Sequence, residues 1–211
     1  MDQAKKVATP LVHDWNVEDT NSPLLEDPIQ YRRPVGRLFY LNFTRPDLTF
    51  SVHHLSQFMQ HPTHCHWSAT LHVVKYLKGT TTHVLFYPAN TNMEITTFCD
   101  ADWAKCTLTR RSVIGYCIMM GGALISWKSK KQNIVSRSSA KVEYRSATMT
   151  VCELQWISCI LADLQQPIIK QITLQFYIPT KDQLADVFTK VIPSPQHCSL
   201  LFKGFSSIVP S

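Results

Sequence analysis

The sequence has no apolar run long enough to cross a bilayer, which takes about 18–20 residues. Its best candidate, GYCIMMGGALISW at residues 115–127, is too short and is interrupted by a Gly-Gly pair. The opening segment, MDQAKKVATPLVHDWNVEDT, also lacks the apolar core of a secretory signal peptide. These absences predict an intracellular protein, cytoplasmic or nuclear, with no membrane partner.

The sequence also lacks the cysteine spacing of a disulfide framework or a zinc site. Its seven cysteines are an odd number, none forms a C-x-x-C pair, and several lie in apolar runs. This usage is typical of reduced thiols. The crowded segment HPTHCHW (61–67) offers a zinc alternative, but no second cluster completes four ligands. We therefore interpret it as the start of a helix.

Acidic residues are scarce over most of the chain, although the formal charge of the whole is only +6. Residues 1–30 hold six acids and two bases, whereas residues 31–211 hold nine acids and nineteen bases. Such a basic body fits a nucleic-acid partner, because phosphates attract it. The alternative is that these lysines and arginines only solvate the surface.

Hydrophobic periodicity predicts helices first and strands later. Three short helices are expected between residues 31 and 79, one of them starting at Pro46 and another after Pro62. Strands are predicted at 82–87, 93–100, 112–120, 123–128 and 171–178, with a turn at 88–92. A long helix is predicted at 139–164 and a short helix at 180–190. We therefore expect an α+β fold, in which a small helical unit is followed by strands and a long helix.

Four regions follow from these patterns. Residues 1–30 contain three prolines and no sustained periodicity, so we expect a flexible leader. A helical unit at 31–88 and a sheet-containing domain at 89–193 come next. The residues after Pro193 are turn-rich, so 194–211 are expected to form a loose tail.

Acidic side chains stand at element ends that a sheet could bring together. Asp100 and Asp102 end a buried strand, and Glu143 and Asp182 lie in the first turns of predicted helices. Carboxylates resist burial unless a basic side chain or a metal ion compensates their charge. Converged carboxylates favour Mg²⁺ or Mn²⁺, and two such ions can hydrolyse a phosphodiester. The alternative is that these acids are merely solvated.

Long motifs occur in order along the chain, namely FCDADWA, TRRSVIGYCIMMGGALISWKSKKQ, SRSSAKVEYRSAT and YIPTKDQLADVFTK. Together they closely resemble the ribonuclease H domain of copia-type LTR retrotransposon Pol polyproteins. Upstream, YRRPVGRLFYLNFTRPDLTFSVHHLSQFMQHPTHCHWSATLHVVKYLKGT resembles the segment that joins the reverse transcriptase of this family to its ribonuclease H. The resemblance covers about residues 24–193.

The resemblance implies a truncated ribonuclease H-like fold, in which a mixed sheet has the long helix packed on one face. In the family, two Mg²⁺ ions held by acids cut the RNA strand of an RNA–DNA hybrid. When the family's motifs are matched to this chain one residue at a time, its catalytic and metal-binding acids correspond to Asp100, Glu143 and Asp182, with Asp102 as an auxiliary ligand. Mg²⁺ or Mn²⁺ is the implied cofactor.

The implied partner is nucleic acid, as an RNA–DNA hybrid or a duplex, with no small-molecule substrate. Two basic segments, TRR and WKSKKQ, are the candidates for phosphate contacts. Their cations are Arg110, Arg111, Lys128, Lys130 and Lys131. The alternative is that they solvate loops.

The chain departs from the family pattern where activity is concerned. The family has a further Asp at the end of a strand after the long helix, but here LADLQQP passes directly into IIKQITLQFYIPTKDQLAD. The Asp-Asp pair of the polymerase is also absent, so the chain is not a working reverse transcriptase.

We expect ribonuclease H activity to be lost or severely reduced. The alternative function is a non-catalytic nucleic-acid-binding remnant or a domesticated interaction module.

The missing strand has a structural consequence. In the family it lies between the first and the last strand, so its loss would leave backbone groups of 93–100 without partners. We expect strand 171–178 to move into this position and pair with 93–100.

Two smaller departures concern helices. Lys141 replaces a family Glu three residues after Ser138, which removes a capping box and opposes the helix dipole. Pro34 stands where the family prefers Leu. A proline is tolerated in the first turn of a helix but costs about 3 kcal/mol in its interior.

Overall fold

Helices fill the first part of the chain, and a sheet follows them. The computed structural model describes residues 5–12, 21–89, 93–166, 172–175, 178–204 and 207–208. Its α-helices are α1 (Pro28–Leu41), α2 (Thr49–Ser56), α3 (His64–Gly79), α4 (Ser139–Asp163) and α5 (Ser194–Gly204), with 3-10 helices at Pro46–Leu48 and Leu184–Phe188. Its strands are β1 (His83–Val84), β2 (Ile95–Asp102), β3 (Val113–Met120), β4 (Ala123–Lys131), β5 (Thr173–Gln175) and β6 (Ser207–Ile208).

This combination of helices and strands confirms the predicted α+β class. Among the helices of the described ranges, none has both the length and the apolar character that a membrane crossing requires.

The first three helices share a core because each has one apolar face. Tyr31, Val35 and Leu38 of α1 are buried with Leu55 of α2 and Val73 of α3. The Tyr31 hydroxyl also donates to the backbone oxygen of Leu55 at 2.7 Å. A single apolar stripe on each short helix thus supplies most of this core.

The start of α3 explains the segment HPTHCHW. Thr63 is the N-cap, and its hydroxyl accepts from the backbone N–H of His66. In return, Nδ1 of His66 accepts from the backbone N–H of Thr63 at 2.9 Å. His66 therefore completes a capping box, as Glu or Gln more often does, and the interpretation as a helix start is confirmed.

The main sheet has the strand order β4-β3-β2-β5. β2, β3 and β4 are antiparallel neighbours, whereas β5 runs parallel to β2, with Thr96 opposite Thr173 and Phe98 opposite Gln175. The expected pairing of 171–178 with 93–100 is confirmed for residues 173–175. Residues 171, 176 and 177 of that predicted strand lie outside the described ranges.

Both faces of the sheet are covered, which is why β3 is apolar on both sides. Helix α4 packs on one face, where Leu154 and Ile157 join Ile118 in a buried cluster. On the other face Cys117 joins Phe188 of the second 3-10 helix. Consequently every residue from Val113 to Met119 is buried.

The described parts of the predicted leader and tail pack more closely than expected. The expectation of a loose tail is wrong for Ser194–Gly204, which form α5, because Leu200 and Leu201 are buried against the second 3-10 helix. Leu11 and Leu25, from the predicted leader, are buried in the helical core. The predicted strand 82–87 is reduced to β1, which pairs with β6 near the C-terminus. Residues 90–92 of the predicted turn lie outside the described ranges.

Candidate carboxylate site and basic groove

A cleft of about 240 Å³ opens between β2, α4 and the segment that carries the second 3-10 helix. Its polar lining includes Asp100, Glu143, Ser146, Asp186 and Lys190. Two of the three acids predicted to converge, Asp100 and Glu143, therefore line one cleft.

Ser146 connects α4 to the sheet at the floor of this cleft. Its hydroxyl lies 2.9 Å from the backbone oxygen of Asp100 and 3.1 Å from that of Gly115. These two residues are paired across β2 and β3, so one side chain contacts both strands. Glu143 lies three residues earlier on α4, on the same side of the helix, and is brought to the edge of the cleft while remaining exposed.

Gly115 allows the segment after the 3-10 helix to lie directly on the sheet. A Cβ at this position would come within 2.7 Å of Cβ of Phe188 and 3.0 Å of Cγ2 of Thr189. Real side chains do not approach so closely, so glycine is required for this contact. The contact places Thr189, whose hydroxyl donates to Oδ2 of Asp100.

Lys190 provides the positive charge of the cleft. Its ammonium nitrogen lies 2.8 Å from Oδ1 of Asp186 and 3.8 Å from Oδ2 of Asp100. The side chain of Asp186 is only 2% exposed. Its other oxygen, Oδ2, has no hydrogen-bond partner among the described residues.

Burial raises the pKa of Asp186 to about 7, although the hydrogen bond from Lys190 opposes this change. Burial alone would lower the pKa of Lys190, but the hydrogen bond to Asp186 and the charge of Asp100 raise it overall. Since the pKa of Asp186 lies above its ordinary value of 3.8, the folded state binds more protons than the unfolded state between these values. The contribution of Asp186 to stability therefore decreases as pH rises towards 7.

Asp182, the third predicted catalytic acid, does not line the cleft. Its carboxylate lies at the surface, 2.6 Å from Nζ of Lys203, and this hydrogen bond holds its pKa below the usual range. The expected helix at 180–190 begins only at Leu184, with Gln183 as its N-cap instead of Thr180. The later start moves the inward position from Asp182 to Asp186.

Asp186 is thus the site residue that the sequence interpretation missed. It lies within LADVF, and all five residues of this run are buried. A buried acid requires a charged or hydrogen-bonding partner. In the sequence, the signal for such a site was an acid among the apolar residues of LADVF. The predicted auxiliary ligand, Asp102, lies 3.2 Å from Nζ of Lys105.

Each predicted aspartate therefore contacts a lysine. Within the described ranges, no group of three or more His, Cys, Asp or Glu side chains is arranged to hold a metal ion. The residues as placed do not fit the two-metal centre that the resemblance implies. A role for Mg²⁺ or Mn²⁺ stays a prediction.

The predicted basic residues lie elsewhere, around a groove of about 370 Å³ between α2 and β4. Lys128, Lys130 and Lys131 line it together with Phe50 and His53. Lys128 and Lys130 are exposed, whereas Nζ of Lys131 donates to Oε1 of Gln57, the C-cap of α2, at 2.7 Å. Burial, and then the charge of Lys128, lower the pKa of His53.

Arg110 and Arg111 do not line this groove but lie at the same end of the hairpin. Both are exposed, in the turn that precedes β3. The pairing of Val113 with Lys131 brings that turn to the end of β4 where the lysines lie. The five predicted cations therefore belong to one end of the β3–β4 hairpin.

Comparison with known proteins identifies the chain, although no family model matches it. It is 45% identical over 161 residues to the Retrovirus-related Pol polyprotein from transposon RE2 of Arabidopsis thaliana, a match covering 76% of the chain and 11% of that protein. It is 41% identical over 154 residues to the Uncharacterized mitochondrial protein AtMg00810 of the same plant, a match covering 73% of the chain and 64% of that protein. It is 33% identical over 171 residues to the Retrovirus-related Pol polyprotein from transposon TNT 1-94 of Nicotiana tabacum, a match covering 78% of the chain and 13% of that protein.

These matches cover about three quarters of the chain, at identities that reflect common descent. The chain spans about a tenth of the length of the two transposon polyproteins. It therefore belongs to the copia-type retrotransposon Pol polyproteins, of which it represents a fragment.

Proposed function

We propose that the chain is the ribonuclease H-related part of a Pol polyprotein, and that it binds nucleic acid without cleaving an RNA–DNA hybrid efficiently. The observation that carries the binding proposal is the basic end of the β3–β4 hairpin. Lys128 and Lys130 are exposed beside a groove that also contains the half-buried rings of His53 and His54. Cations supply phosphate contacts, and flat rings can stack on bases.

The proposed relation to ribonuclease H is supported by the motifs and by the way the elements meet. Acids from β2, α4 and the second 3-10 helix line one cleft, and α4 packs across the sheet. The proposed loss of cleavage is supported by the missing family Asp and by the lysine contacts of the acids that remain.

We expect salt-sensitive binding that does not depend on sequence. A protein that contacts phosphates releases counterions, so its affinity falls as salt rises. The double substitution Lys128→Gln/Lys130→Gln should reduce the slope of log K against log salt by about 0.9 for each lysine that contacts phosphate. Fluorescence anisotropy with a labelled hybrid and a labelled duplex measures this slope.

The matched control removes the same charge from two other exposed lysines. Lys75 lies on α3 and Lys181 precedes the second 3-10 helix, and neither lines the groove. Lys75→Gln/Lys181→Gln should leave the slope close to that of the unsubstituted chain. Absence of binding to hybrid and duplex at low salt would contradict the proposal and favour an interaction module without nucleic acid.

We also expect a labelled RNA–DNA hybrid to remain uncleaved in Mg²⁺ and in Mn²⁺, or to be cleaved at a severely reduced rate. A site that has lost an acidic ligand binds metal more weakly and positions the attacking water poorly. Gel analysis of the RNA strand tests this. Robust Mg²⁺-dependent cleavage that disappears in Asp100→Asn would show the expectation to be wrong.

A further inference from the structure

We propose that the ammonium group of Lys190 is the resident cation of the carboxylate cleft, so that Asp100 and Asp186 are held together by the chain itself and do not require a metal ion. The proposal does not depend on nucleic-acid binding or on cleavage. It follows from the disagreement between the expected metal centre and the side chains that the structure brings together.

The geometry supports a cation that is shared between two carboxylates. Lys190 Nζ lies 2.8 Å from Asp186 Oδ1 and 3.8 Å from Asp100 Oδ2. The two acids come from β2 and from the second 3-10 helix, so the lysine joins segments that are distant in sequence. Thr189 donates to the same Asp100 oxygen and limits the movement of that carboxylate.

The burial of the three side chains explains why a positive charge is needed. The side chains of Asp186, Asp100 and Lys190 are 2%, 21% and 33% exposed. A carboxylate as buried as that of Asp186 is stable only with a compensating charge or a proton. The amine supplies this charge while the stem of Lys190 keeps its partial contact with solvent.

The cleft nevertheless keeps features that a divalent cation could use if the amine were removed. Asp186 Oδ2 is buried without a hydrogen-bond partner in the described part of the chain. Glu143 lines the same cleft. Among the described residues these acids do not form a group arranged to hold a metal ion, but removal of the amine would let the exposed Glu143 turn towards Asp100 and Asp186 and complete the oxygen ligands that Mn²⁺ and Mg²⁺ prefer. Loss of the ammonium group should therefore convert a metal-independent site into a metal-binding one.

The test compares Lys190→Met with Lys203→Met, using Mn²⁺ as the probe. The second variant is the matched control, because Lys203 contacts Asp182 at the surface, outside the cleft. The melting temperature of each chain is measured in EDTA and in millimolar Mn²⁺, and electron paramagnetic resonance measures free Mn²⁺. Neither readout involves nucleic acid, so failure of the proposed function would not be confused with failure of this proposal.

Mn²⁺ should leave the melting temperature of the unsubstituted chain unchanged, and likewise that of Lys203→Met. Lys190→Met should melt at a lower temperature in EDTA, and Mn²⁺ should raise this temperature by roughly 5 °C, because a ligand that binds only the folded state stabilises it. It should also remove Mn²⁺ from solution stoichiometrically. Adding Asp186→Asn should abolish the Mn²⁺ effect and restore much of the melting temperature in EDTA.

Two results would overturn the proposal. One is Mn²⁺ binding by the unsubstituted chain that Asp100→Asn abolishes, because the lysine would then not fill the site. The other is a folded Lys190→Met that neither binds Mn²⁺ nor melts below Lys203→Met. If Lys190→Met does not fold, folding of Lys190→Met/Asp186→Asn supports the proposal, whereas failure of both contradicts it.

Discussion

Replacing Asp47 by alanine is expected to destabilise the folded chain by about 3–5 kcal/mol, the cost of breaking a buried ion pair from one side. Asp47 is 5% exposed and precedes α2. Its carboxylate accepts from Nε and Nη2 of Arg45 at 2.9 and 2.6 Å, and from the hydroxyl of Tyr76 at 2.8 Å. Arg45 also donates to Thr80 at the end of α3. Asp47 thus connects the turn before α2 to α3.

The large expected effect arises because the substitution leaves the donors of two side chains, Arg45 and Tyr76, without this acceptor. The side chain of Arg45 is only 11% exposed, so its guanidinium cannot recover full hydration when Asp47 is removed. Asp47→Asn keeps an acceptor for Tyr76 and should cost less. The free energy of unfolding is obtained from urea titration followed by far-UV circular dichroism.

Asp182→Ala is the matched control, since it removes a carboxylate from an exposed pair with Lys203. Solvent and salt screen exposed pairs, so their contribution is small. The two alanine variants should therefore differ clearly in their urea midpoints. Equal midpoints for Asp47→Ala and Asp182→Ala would show that the buried network does not stabilise the helical unit.

Replacing Pro34 by alanine is expected to stabilise the chain by about 2 kcal/mol. α1 runs from Pro28 to Leu41, so Pro34 lies in its interior and not in its first turn. A proline there offers no N–H to the carbonyl of Gln30, and its ring crowds that carbonyl, at a cost of about 3 kcal/mol. Part of the gain is offset because alanine makes the unfolded chain more flexible, by about 0.4–1 kcal/mol.

Pro28→Ala is the control for this prediction, because Pro28 is the first residue of the same helix, after the N-cap Asp27. A proline at that position loses no hydrogen bond and is already in the helical conformation. Its replacement should change the free energy of unfolding little or reduce it slightly. A Pro34→Ala variant no more stable than Pro28→Ala would mean that α1 accommodates its interior proline without strain.

Much of the fold could be predicted because local patterns specify local elements. The long helix was expected at 139–164 and occupies Ser139–Asp163, since its apolar residues recur with the helical period. The hairpin of β3 and β4 turns at Gly121 and Gly122, both of which have positive φ, between the strands predicted at 112–120 and 123–128. The pairing of β2 with β5 was predictable from an exposed strand edge and a short connection.

The candidate site was predictable only in part. Asp100 and Glu143 line one cleft because their elements were correctly placed. Asp182 was predicted because it lies in the first turn of the helix expected at 180–190, whereas the observed 3-10 helix starts at Leu184 and brings Asp186, one turn later, to the cleft. Gln183 caps the start of that 3-10 helix, and Phe188 at its end packs on Gly115. The second contact is not visible in local sequence.

By itself the sequence determined the family, the α+β class, the basic character of the chain and the order of its elements from α1 to the second 3-10 helix, because periodicity, composition and motifs are properties of neighbouring residues. Only the tertiary structure decided what compensates the buried carboxylates. Asp100 meets Lys190 and Thr189 across some ninety positions of chain, and Asp186 is buried by packing against the sheet. Either a metal ion or a lysine can neutralise a buried acid. The choice between them depends on the charges that folding brings within a few ångströms, and the lysine is the cation that this fold places there.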